Sequence, residues 1–81
     1  MKSKKEIDTI DCKALVRAVV FIGKKNNCDV SVDETSNPIE ITWKKKDNKS
    51  VFKIYSFVTK EESIKILNRA NRMIDIIYGE E

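Results

Sequence analysis

Residues 39–58 constrain this chain more than any other stretch, because they read as a β-hairpin. Ile39, Ile41 and Trp43 alternate with Glu40, Thr42 and Lys44, the period of a strand with one face buried. The second arm, SVFKIYSFV, is crowded with β-branched and aromatic residues that fit a pleated surface. Lys46-Asp47-Asn48-Lys49 is the polar break between them, and the turn is read as Asp47-Asn48, residue types that tolerate positive φ. That turn sets Trp43 opposite Phe52, Ile41 opposite Ile54 and Ile39 opposite Ser56. Glu40, Thr42, Lys44, Val51, Lys53, Tyr55 and Phe57 then share the other face.

The 81 residues make one small domain, residues 1–81, with residues 1–8 a frayed, charged lead-in. A core of this size yields roughly 3–5 kcal/mol of net stability, and dimerisation is a common remedy. Charged residues are 36% and apolar residues 41%, a balance that supports folding rather than disorder. The longest apolar run, residues 14–22, is broken by Arg17 and is too short to span a membrane. No small-residue cleavage site follows it, so a cytoplasmic protein without signal peptide or membrane contact is expected. Two cysteines, Cys12 and Cys28, are too few for a disulfide framework and read as free thiols. Lys, Ile and Asn outweigh Arg, Ala and Gly, the bias of an AT-rich coding sequence.

In chain order, the first helix is read over residues 10–25, capped by Asp8 or Thr9, with Asp11 in its first turn. Ile10, Ala14, Leu15, Ala18, Val19, Phe21 and Ile22 form its apolar face, and Val16 and Val20 fall outside it. Asn26 or Asn27 supplies the left-handed stop. A short strand over 28–32 points Cys28, Val30 and Val32 one way and Asp29, Ser31 and Asp33 the other. After the polar loop 33–37 and Pro38 comes the hairpin. Thr59-Lys60-Glu61-Glu62 is a capping box that starts the last helix. Ile66, Leu67, Ala70, Met73, Ile74 and Ile77 make its stripe, with Lys65, Arg69, Arg72 and Asp75 on the wet side and Gly79 as the stop. Helix, three strands, helix with short connections gives an α+β, two-layer sandwich: a three-stranded antiparallel meander with both helices on the Trp43 face.

Catalysis is not expected. The chain has no histidine, which excludes histidine acid–base work, Ser-His and Cys-His pairs and histidine metal sites. Neither glycine belongs to a phosphate-cradling loop, so no cofactor is expected. Asp29, Ser31 and Asp33 approach one another on one strand face, but read better as a solvated face than as a cation site. Cys28 and Cys12 read as small core residues rather than nucleophiles, and Trp43 reads as core rather than a stacking platform.

The open sheet face carries the functional expectation. Val51, Tyr55 and Phe57 beside Lys44 and Lys53 are expected to make a contact surface, unless a loop or an end of the chain covers Phe57 and Val51. Charge is concentrated at the N-terminal third and at the hairpin tip, Lys44, Lys45, Lys46 and Lys49, while residues 29–37 carry net −3; a lysine-rich tip reads first as what keeps an edge hairpin soluble and unpaired, and second as a phosphate contact. The expected function is a small, non-enzymatic interaction module that regulates or inhibits a protein partner through Lys44, Lys45, Lys46, Lys49, Val51, Lys53, Tyr55 and Phe57, which suits a phage or mobile-element accessory protein. The alternative is a sequence-tolerant nucleic-acid binder on the same surface with Lys24 and Lys25, aromatics stacking on bases and lysines on phosphates. A third is a homodimer that buries the exposed aromatics, or Val16 and Val20, against a twin; otherwise the chain is a monomer. The order of elements resembles the double-stranded-RNA-binding domain in topology alone. That family has a Lys-rich start to the last helix and a Gly-Pro-x-His type loop, where this chain has Lys60-Glu61-Glu62 and an acidic loop ending in Pro38.

Overall fold

The computed structural model describes residues 9–78. The lead-in 1–8, Asp8 as a cap and Gly79 as a stop lie outside the described residues. The order is β1 (Thr9–Ile10), α1 (Cys12–Lys25), β2 (Asp29–Asp33), β3 (Ile39–Lys45), β4 (Asn48–Ile54), β5 (Val58–Thr59), α2 (Lys60–Met73) and a π-helical turn, Ile74–Tyr78. Strands β2-β3-β4 form the expected antiparallel meander, and both helices contribute to the core on its Trp43 face. One addition is a short ribbon: β1 pairs antiparallel with β5, tying the entrance of α1 to the entrance of α2.

Local chemistry explains the helix ends. Asp11, not Asp8 or Thr9, caps α1; its carboxylate accepts from the Lys13 amide at 3.0 Å. Helix α1 therefore begins two residues later than expected, because Thr9 and Ile10 are taken up by the β1–β5 ribbon. At its other end the Cys28 amide donates to the Gly23 carbonyl and the Asn27 amide to Lys24, with Asn27 at φ 68°, a Schellman stop. Thr59 and Glu62 close the capping box on α2 in both directions, at 3.0 and 3.3 Å.

Two expectations, one about the hairpin and one about the first helix, need correction. The hairpin turn is Lys46-Asp47, with Lys46 at φ 57°, so Trp43 faces Ser50, Ile41 faces Phe52 and Ile39 faces Ile54. The change shifts the register by two residues, which leaves the side chains of β3 and β4 on their expected faces. The small Ser50 beside the indole makes room for Tyr78, whose hydroxyl meets Ser50 Oγ at 2.7 Å. Second, the buried arc of α1 is Leu15, Val16, Val19 and Gly23, and Phe21 is 64% exposed. The helix is rolled so that Gly23, which has no side chain, meets the Trp43 ring. Val16, expected outside the apolar face, is thereby buried in the core.

Lys45 is a structural residue. Its ammonium donates to the Asn26 carbonyl at 3.1 Å and the Tyr78 carbonyl at 2.9 Å, placing one cation against the C-terminal ends of both helical segments. Lys45→Met keeps the stem and removes the charge. It should lower stability by about 1–2 kcal/mol, read from the urea midpoint; an unchanged midpoint would show that the two contacts contribute nothing.

Candidate functional site

Strand β4 ends at Ile54, so Tyr55 and Phe57 leave the sheet instead of continuing its open face. This corrects the expectation that they share that face with Val51. They sit on the short crossing to β5, and Ser56 between them donates to Asn37 Oδ1 at 3.2 Å, tethering the crossing to the loop before β3. Tyr55 is 57% and Phe57 85% exposed. Together they wall a shallow groove of about 270 Å³. Its inner lining is buried Val58 and half-buried Ile66; Lys53, Glu62 and Lys65 stand at its margins.

The expected contact residues therefore fall into two groups. Lys53, Tyr55 and Phe57 belong to the groove. Lys44, Lys46 and Lys49 are exposed at the hairpin tip, with Lys44 and Lys49 opposite each other. At about 3.3 Å per residue, Lys49 and Tyr55 are roughly 20 Å apart along the chain. Val51 lies between them, half-buried opposite Thr42, and Lys45 is engaged by the helix ends.

By sequence, Lys65, Arg69 and Arg72 stand on the wet side of the last helix and carry no role. In the fold they form a stripe on α2 that runs on from the groove, with Lys65 common to both. The Arg69 guanidinium lies 5.1 Å from the centroid of the Phe52 ring, a cation–π contact that holds it against β4. The i, i+4, i+7 spacing of three cations was the available signal. Only the tertiary fold brings that stripe alongside Tyr55 and Phe57.

The remaining candidates are built into the scaffold. Trp43 is fully buried, tilted against Phe52 at 4.7 Å and edge-on to Tyr78 at 5.7 Å. Burial pushes the Cys28 thiol up, against an opposing pull from Lys45, so it stays protonated at neutral pH. Cys12 is half-buried. The Asp33 carboxyl is held below the usual carboxylate range by the Thr35 hydroxyl and amide, which donate at 2.6 and 3.0 Å, helped by Ser36. It organises its own loop. Among the described residues no three Cys, Asp or Glu side chains are grouped to hold a metal ion, and no helix is long and apolar enough to cross a membrane.

A second apolar groove, lined by Val16, Val20, Phe21 and Val32, lies between α1 and the outer strand β2. Arg17, Lys24 and Glu34 flank it, and Lys25 lies 5.9 Å from the Phe21 ring.

No family model, no curated protein and no solved structure matches this chain.

Proposed function

We propose that this protein is a small, non-enzymatic interaction module of the cytoplasm that regulates or inhibits a protein partner, docking it at the groove between the β4–β5 crossing and α2. The observation that carries this reading is the exposure of Phe57 and Tyr55 over an apolar lining. Large aromatics cost free energy when left against water, and Tyr and Phe inside a charged margin are the anchors protein interfaces use. The Tyr55→Ser/Phe57→Ser double variant tests it. Both side chains are exposed, so the fold should survive, and partner recovery from host lysate should fall at least about tenfold, the loss of an anchor pair. Equal recovery of every partner by a folded variant would put the site elsewhere.

The nucleic-acid reading is favoured by a different observation, the exposed Lys44, Lys46 and Lys49 at the tip. With Lys45 committed to the helix ends, those three and Lys53 could neutralise at most about four phosphates, for a slope of log K on log salt of about −3.6.

A further inference from the structure

We infer that the partner segment held at this site is an acidic amphipathic helix; the inference rests on the protein-docking reading and names the partner's chemistry. Lys65, Arg69 and Arg72 are exposed on one face of α2, and at 1.5 Å per residue they cover about 10 Å of its length. A helix lying alongside would meet them with Asp or Glu at the same i, i+4, i+7 spacing. Its apolar face, turned toward the β4–β5 crossing, would place a large side chain between Tyr55 and Phe57 over Ile66 and Val58. Arg69 is already held against Phe52, which lowers the entropy lost when it pairs with a carboxylate.

Charge decides between partners. Glu62 stands at the groove margin beside Lys65, its carboxylate fixed by the capping box. A phosphodiester chain running from the stripe into the groove would carry a charge past Glu62 at every nucleotide, whereas a helix can leave that position uncharged. The tip lysines are roughly 20 Å off and do not extend the stripe. The described helices of a second copy do not supply that stripe either. Helix α1 contains no acidic residue, and α2 has only Glu61 and Glu62 in its first turn, so neither offers an acidic stripe.

Fluorescence anisotropy with three labelled probes tests the inference on the full chain. The first is a peptide of about 15 residues, helical, with leucines on one face and glutamates at i, i+4 and i+7 beside them, long enough to span the stripe. The second is the same peptide with lysine for every glutamate. The third is a single-stranded DNA of about 15 nucleotides, a length that covers a typical single-strand site. The acidic peptide should bind, weaken at least about tenfold in Lys65→Glu/Arg72→Glu and in Phe57→Ser, and weaken with added salt. These residues are exposed, so circular dichroism should be unchanged. Equal binding of the lysine peptide, still lost in Phe57→Ser, overturns the acidic partner and leaves the docking reading standing. Binding of the DNA alone overturns the acidic-helix inference in favour of nucleic acid at this surface. Failure of all three probes overturns the acidic-helix inference, while the lysate experiment separately decides the docking reading.

Discussion

Tyr78→Ala should leave the chain largely unfolded at 25 °C. The ring is 1% exposed, stands edge-on to Trp43, shares a 2.7 Å hydrogen bond with Ser50 and belongs to the residue whose carbonyl takes Lys45. Deleting a buried aromatic side chain costs about 3–5 kcal/mol, which is as much as a domain of this size has to lose. Tyr78→Phe separates the hydroxyl from the ring. It leaves Ser50 Oγ buried without its partner and should cost about 1–2 kcal/mol, a fall in Tm of roughly 4–16 °C. Adding Ser50→Ala to Tyr78→Phe removes both ends of the bond and should recover much of that loss. Thermal melts followed by near-ultraviolet circular dichroism, where Trp43 reports the core, measure all three. A Tyr78→Ala protein that melts within a few degrees of wild type would mean that Tyr78 is not in the core.

Tyr78 also shows where sequence reading runs out. The α2 stripe follows the α-helical phase to Ile77, so Ile77 is expected inside and Tyr78 is passed over. The last five residues instead form a π turn, which closes one residue later than an α turn and slows the rotation of each side chain about the axis. Ile77 swings out to 42% exposed and Tyr78 swings in. Nothing local in IDIIY announces that change. It depends on Trp43 and Ser50, far away in the chain, receiving the ring.

What was legible was local. The capping box at Thr59 and Glu62, the Asn27 stop and the alternation of β3 all follow from contacts within a few residues. The turn was not legible. Moving it by one residue shifts the pairing by two and leaves the apolar pattern on the same face, so hydrophobic alternation cannot distinguish Asp47-Asn48 from Lys46-Asp47. The candidate site was half legible for the same reason. Tyr55 and Phe57 announce themselves as exposed aromatics, though on the open sheet face rather than on a crossing. That Lys65, Arg69 and Arg72 stand beside them is a fact of tertiary packing.

Gly23→Val should be as damaging as a large core truncation, although glycine is a poor helix former. A Cβ at this position would lie 2.5 Å from Trp43 Nε1, 2.8 Å from Cε2 and 2.9 Å from Cδ1, and a flat indole locked between Phe52 and Tyr78 has nowhere to move. Overpacking a full core costs about 1–3 kcal/mol for a modest insertion, and the β-branched side chain puts the loss for Gly23→Val at about 3 kcal/mol or more. Gly23→Ala gives the graded comparison. The gain in helix propensity, about 1 kcal/mol at most, offsets part of the same clash, so the net loss should be up to about 2 kcal/mol. The close approach also explains the roll of α1. Maximising buried side-chain area would turn Phe21 inward, yet no side chain can stand where the indole must lie, so the helix presents Gly23 and leaves Phe21 in solvent. Trp43 Nε1 is buried there with no hydrogen-bond acceptor among the described residues, a further cost of bringing the ring so close to the helix. The two variants should therefore lose stability in urea melts, alanine less than valine. If alanine stabilises the protein by its full helix propensity, the indole does not rest on Gly23 and the roll of α1 must have another cause.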